Sequence, residues 1–157
     1  MKNLIGYIKE GLKISSKTKI DKYNYYPKTE KELHYLLKQL IEERGNEGDF
    51  NDIDTSEITD MSNLFDSMDK FNGDISNWDV SNVTNMTYMF YEWKSFNQPL
   101  DNWDVSKVTN MEYMFDCCKS FNQDISNWNV SNVIRTMFMF ENCPIEEKYK
   151  PKFKWKK

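Results

Sequence analysis

"DNWDVSKVTNMEYMFDCCKSFNQDISNWNVSNVIRTMFMF", residues 101–140, states one phrase twice: Trp103-Asp104-Val105-Ser106 returns as Trp128-Asn129-Val130-Ser131. The interval is 25 residues, and it extends beyond this stretch. Trp78, Trp103 and Trp128 share it, as do Phe65, Phe90, Phe115 and Phe140, and Phe71, Phe96 and Phe121. Met61, Met86, Met111 and Met137 keep it to within one position, and Ile75, Leu100 and Ile125 complete the set. A period that does not slip means one structural unit per repeat, stacked on its neighbour so that the same slot meets the same slot. The first copy, "FNDIDTSEITDMSNLF" at residues 50–65, puts Ile53 in the Trp place and Thr55 in the Val place. The fourth loses its Thr-Asn pair to Ile134-Arg135 and runs into Cys143-Pro144, as a terminal repeat does.

Within a unit, Thr84 followed by "NMTYMFY" reads as a short N-capped helix with Met86, Met89 and Phe90 facing inward, and Thr59 and Thr109 repeat the cap. Phe96 to Leu100 reads as an extended rung interrupted at Pro99, and "DNWDVSKV" as the return loop. One helical turn, one rung and one loop per unit predict an α/β fold. Its form is a right-handed, leucine-rich-repeat-like solenoid of about four 25-residue coils with an N-terminal α+β cap. The expected domains are a cap at residues 1–48, the repeat solenoid at 49–145, and a basic C-terminal cap or tail at 146–157. "PKTEKELHYLLKQLIEERG" predicts a helix over about 29–44, with Thr29 and Glu32 as a capping box, leucines on one face and Gly45 at the stop. Before it, "LKISSKTKIDKYNYY" predicts one or two short strands. The expected core is Phe65, Trp78, Met86, Phe90, Phe96, Trp103, Met111, Phe115, Phe121, Trp128 and Phe140.

The unit "NWDVSNVTNMTYMFYEWKSFNQPL" resembles the repeat of the BspA-like leucine-rich-repeat surface proteins, with W-D-V-S, V-T-x-M-x-x-M-F and F-N-Q all in place over about residues 50–145. That family is widespread in bacteria and largely of unassigned function, so the resemblance implies a bacterial or phage source and a surface-exposed repeat protein. "ENCPIEEKYKPKF" is similar to the usual end of such arrays, which implies a complete C-terminus.

Composition bounds the function. The chain has 157 residues, a formal charge of -4, an apolar fraction of 39% and a mean hydropathy of -0.80. Its aromatic content of 15% is the means of burying surface economically, since one large ring removes roughly 150–250 Å² from water. Residues 49–147 hold eighteen acidic and five basic side chains, so their surface does not suit nucleic acid, whose binding needs a basic footprint. No apolar run is long enough to span a membrane and no signal-peptide core precedes the charges at Lys9 and Glu10, which places the protein in the cytoplasm by default although the resembled family is often exposed. Three cysteines, an odd number, argue for reduced thiols.

Each candidate site has a competing structural reading. His34 is the only histidine, so a Cys-His enzyme would need it to meet Cys117, Cys118 or Cys143. Asp49, Asp52, Asp54 and Glu57 bunch as calcium ligands do, but without the glycine of a calcium loop. The spaced tryptophans suit a sugar platform or a core, and Ile53 in the same slot favours the core. "KYKPKFKWKK" reads as a docked extended segment rather than a membrane or nucleic-acid contact. The expected binding face is Asp74, Asn97, Gln98, Asn122, Gln123 and Asp124, where short polar groups vary between units on a regular scaffold. The expectation is therefore a non-enzymatic scaffold that binds a protein partner through its solenoid face. It takes no cofactor, metal, nucleic acid or membrane span, and it is a monomer. The alternative is a carbohydrate- or host-surface-binding module, and the third reading is a Cys-dependent enzyme.

Overall fold

The computed structural model describes residues 22–154. Among these lie one α-helix, α1 at Glu30–Arg44, and one 3-10 turn at Glu147–Tyr149. β pairing is confined to isolated parallel bridges. The expected α/β leucine-rich-repeat-like solenoid is thus corrected: the described repeats contain no strand and no helical turn, and Thr84 caps no helix. The strands expected over residues 12–26 fall mostly outside the described residues.

The backbone shows why neither regular structure forms. Asn63, Tyr88, Tyr113 and Phe138 have φ of 54°, 56°, 57° and 53°, and Ser67, Glu92, Cys117 and Asn142 repeat the left-handed conformation four residues later. Two left-handed residues per unit interrupt both a helix and an extended strand. The N–H groups nevertheless find partners in alternation. Met86, Tyr88, Phe90 and Glu92 donate to the carbonyls of Asn110, Glu112, Met114 and Asp116 in the next unit at 2.9–3.1 Å. Met89, Tyr91 and Trp93 donate back three residues to Met86, Tyr88 and Phe90 at 3.3 Å. The following unit does the same, with Met111, Tyr113, Phe115 and Cys117 donating to Arg135, Met137, Met139 and Glu141 at 2.8–2.9 Å. Single parallel bridges at Asp60↔Asn85, Asn85↔Asn110 and Asn110↔Arg135 keep the units in register.

The corners are closed by side chains. Asp54, Asp79 and Asp104 accept the N–H of Ser56, Ser81 and Ser106 at 3.0 Å, and Asp74 and Asp124 do likewise for Ser76 and Ser126. These are Asx turns, the reason for the recurring Asp-x-Ser. Inside, Phe65, Phe90, Phe115 and Phe140 stack ring on ring at 5.5, 5.2 and 5.7 Å, with Phe96 against Phe90 and Phe121 against Phe115 at 4.6 and 4.2 Å. Met86 and Met111 are fully buried beside them. Trp78, Trp103 and Trp128 are also buried, and each donates its indole N–H to a carbonyl of the preceding unit: Phe50, Ile75 and Leu100, at 3.0, 3.1 and 2.9 Å. In the last unit Thr136, not Met137, takes the place of Met111; Met137 is 55% exposed. Phe140 is half-buried, because the stack ends with it and only the tail covers its far side.

Helix α1 covers the other end. Thr29 accepts the N–H of Glu32, Leu33, Leu36, Leu37 and Leu40 are buried, and Gly45, at φ 78°, donates back to Ile41. Gly73 leaves room for the Phe50 ring of the first unit, which a Cβ there would strike, whereas later units carry Gln98 and Gln123 in the same slot. Arg44 binds Asp52 with both nitrogens, at 2.7 and 2.9 Å, and also donates to the Asp49 carbonyl, tying α1 to the first unit. Burial alone would raise the Asp52 carboxyl, but hydrogen bonds from Arg44 and Asn24 hold it below the usual range. Arg44 is raised, first by the hydrogen bonds it donates to Asp52. Because the folded Asp52 is depressed, its stabilisation is complete above the unfolded carboxyl value near 3.9 and is lost as pH falls through the lower folded value. Acid titration of the melting temperature should therefore fall less steeply below about pH 4 in Asp52→Asn than in the wild type. Parallel curves would refute the pairing.

Candidate functional site

The proposed rung residues come together along one edge, and most are committed to one another. Asn72 accepts the N–H of Asn97, Asn97 that of Asn122, and Asn122 that of Glu146, at 3.0, 3.0 and 2.9 Å. Gln98 donates to the Asn72 carbonyl at 3.0 Å, and Gln123 to both oxygens of Asn97 at 3.0 Å. Asp74 and Asp124 hold their Asx turns, which with burial opposing lower Asp74, and which lead in lowering Asp124. Lysine at these positions would break bonds between units, so this edge is first a seam. A shallow cleft of about 280 Å³ opens at its end, beside Asp101, Gln123 and Asp124.

The remaining sequence candidates separate in space. Asp49 holds the Asn51 N–H, Asp52 pairs with Arg44, Asp54 caps Ser56, and Glu57 pairs with Lys28 at 3.0 Å. No group of three metal-ligating side chains exists among the described residues. His34 places Nδ1 2.7 Å from the Leu64 carbonyl. The three cysteines are free thiols; burial pushes Cys118 far up, and burial with the adjacent Asp116 raises Cys117. The tail was expected to be extended throughout, but it begins in the 3-10 turn at Glu147–Tyr149, where the Tyr149 carbonyl accepts the Ile125 N–H at 3.0 Å; beyond it Lys150 is extended and Pro151 is buried, while Trp155 lies outside the described residues.

A second surface was not anticipated. Tyr88 and Tyr113 stack at 4.6 Å with planes 4° apart, Phe138 continues the row at 5.3 Å, and Tyr91 stands edge-on to Tyr88 at 5.3 Å. Of the large apolar side chains that are exposed, Tyr91, Ile134, Met137 and Phe138 lie in this part of the repeat, at 39%, 73%, 55% and 51%. Tyr88, Tyr113 and Phe138 share the left-handed slot that the first unit fills with Asn63, a residue that adopts this conformation at lower cost. A ring there serves something other than the backbone. Part of the gain is the stack itself; the rest faces solvent. A cleft of about 320 Å³ lies against Tyr88 and Tyr91, with buried Phe65 and Trp93 beneath and Asp66, Asp69, Glu92 and Lys94 around it. The signal was present in the 25-residue recurrence of a ring before the inward Met-Phe pair, at Tyr88, Tyr113 and Phe138.

A family model described as "Mycoplasma protein of unknown function, DUF285" matches residues 34–153. The chain belongs to this DUF285 family. The matched span of the DUF285 chain runs from α1 through the docked tail and includes the whole aromatic row. No curated protein and no solved structure matches the chain. Among the described residues no helix is long and apolar enough to cross a membrane.

Proposed function

We propose that this DUF285 protein is a non-enzymatic binding module whose aromatic row, half-buried at Tyr88 and Tyr113 and exposed at Phe138, docks a protein partner. One observation carries the reading: Tyr88, Tyr113 and Phe138 occupy a left-handed slot at a backbone cost, with Phe138 and the adjoining Met137 in water. Exposed apolar groups gathered in one place mark interaction sites, and tyrosine is among the residues that dominate such interfaces. The buried tryptophans offer no sugar platform.

Proteins crosslinked to wild type in source cells should be lost with Tyr113→Ser/Phe138→Ser, by at least tenfold for a true partner, while Asp101→Asn retains them. Since Phe138 is exposed and Tyr113 only half-buried outside the core, the double variant should still melt cooperatively. A partner retained by a folded double variant would place the interface elsewhere.

A further inference from the structure

The interface between the first two units is bonded at one end and open at the other. Met61 donates to the Asn85 carbonyl at 2.9 Å and Asn63 to the Thr87 carbonyl at 3.1 Å. The next pairs in register would be Phe65 with Met89 and Ser67 with Tyr91, yet neither N–H and neither carbonyl is bonded to any described residue. The two later interfaces are bonded at all four places, from Met86 to Glu92 and from Met111 to Cys117. One slot accounts for the difference. Trp93 stands where Cys118 and Cys143 stand in the later units, and its ring packs against Phe65 at 4.5 Å and Phe71 at 5.6 Å of the unit before. A close-packed interior has no spare volume for an indole in place of a thiol, so the ladder unzips as it approaches the ring.

The open groups need a partner. Phe65 and Met89 are each 1% exposed, and buried backbone N–H and C=O groups are otherwise almost always paired. The cleft of about 320 Å³ is lined by Phe65, Ser67, Met89 and Tyr91, the four residues that hold them. In the direction set by the closed interfaces, the two N–H groups face it from one wall and the two carbonyls from the other. A carboxylate would serve the N–H groups but leave the carbonyls bare and lie beside Asp66, Asp69 and Glu92. An ammonium or guanidinium group would serve the carbonyls but oppose the N–H groups and Lys94. A primary amide brings an acceptor oxygen and two donor hydrogens in one plane, and so suits both walls. Tyr88 lines the cleft and belongs to the aromatic row, which makes the two continuous.

We infer that the unzipped seam between the first and second units receives the side-chain amide of a glutamine or asparagine from the protein partner. Its oxygen accepts from the Phe65 or Ser67 N–H, and its nitrogen donates to the Met89 or Tyr91 carbonyl. The inference rests on the protein-binding reading above and adds the chemistry of what is bound.

Nuclear magnetic resonance of the full chain labelled with nitrogen-15 tests the seam. Hydrogen exchange should be faster at the Phe65 and Ser67 N–H groups than at Phe90 and Glu92, their counterparts one unit on; equal protection would mean a closed seam and overturn the site. The probes are N-acetylglutamine N-methylamide and its asparagine analogue, with the glutamate and methionine analogues as controls. At least one amide probe should shift the Phe65 and Ser67 resonances saturably and bind about tenfold more tightly than either control, as the loss of a hydrogen bond to buried groups requires. No shift from either amide probe would overturn the site. Equal binding by all four analogues would assign the seam to main-chain amides, and tighter binding by free glutamine would assign it to a free amino acid; either overturns the inferred occupant. Trp93→Met, which repeats the residue of the Met68 slot, should slow exchange at both N–H groups and abolish the shifts, whereas undiminished amide binding with slowed exchange would refute the seam as the site. Wild-type titration decides alone if Trp93→Met does not fold. If capture depends on Tyr113 and Phe138 while the amide probes leave Phe65 and Ser67 unmoved, the seam falls and the protein-binding reading stands. If the amide probes bind the seam while capture ignores the row, the protein-binding reading fails, and with it the assignment of the amide to a partner.

Discussion

Phe115→Ala is expected to lower the stability of this protein by about 3–5 kcal/mol, the range for removing a ring from a close-packed core. Phe115 is fully buried and touches rings on every side: Phe90 at 5.2 Å, Phe121 at 4.2 Å, Phe140 at 5.7 Å and Trp128 at 6.4 Å. Its loss opens a cavity shared by neighbouring units, which cannot collapse without breaking the Phe115 N–H bond to Met139 and the Phe90 bond to Met114. Against a total stability of roughly 5–15 kcal/mol for a domain, that is a large share. Phe138→Ala, in the surface row and half exposed, should cost less than about 1.5 kcal/mol, since much of that ring is already in water. Urea denaturation separates the two. Equal midpoint shifts would show that the Phe column is not the core.

Removal of residues 145–157 should abolish a cooperative melting transition or yield aggregated protein. Ile145 and Pro151 are buried there, and Tyr149 and Phe153 pack against the last unit. Full burial of an Ile- or Phe-sized side chain contributes about 1.5–3 kcal/mol, so buried Ile145 with half-buried Tyr149 and Phe153 make up a large share of the roughly 5–15 kcal/mol of a domain. The deletion also strips partners from Ile125 N–H and from the Asn122 side chain, and removes Lys150 from over the Phe140 ring. A truncated chain that stays monomeric and melts at the wild-type temperature would show that the last unit needs no cover. Calorimetry with analytical sedimentation reads both outcomes.

What the sequence by itself determined is what recurs or is local. The 25-residue register, the inward slots of Phe90, Trp103 and Met111, and the Asx corners at Asp79 and Asp104 are legible because stacking requires the same side chain in each unit, and a corner needs only its own two residues. Helix α1 is legible for the same local reason, from Thr29, Glu32 and Gly45. The secondary structure of the repeats was not: "NMTYMFY" has helical spacing, yet its N–H groups alternate between turn bonds and bonds to the next unit. That choice depends on a neighbour 24 residues away, which no local propensity encodes. Tertiary structure alone decided that Gln98 and Gln123 are seam residues, since their acceptors lie one unit back. It also decided that Met137 faces water while Thr136 takes the inner place. The Oδ1 of Asp116, buried among the described residues without a hydrogen-bond partner, belongs to the same class, because an unsatisfied atom is defined by every group that fails to reach it, and only the packed neighbours determine that.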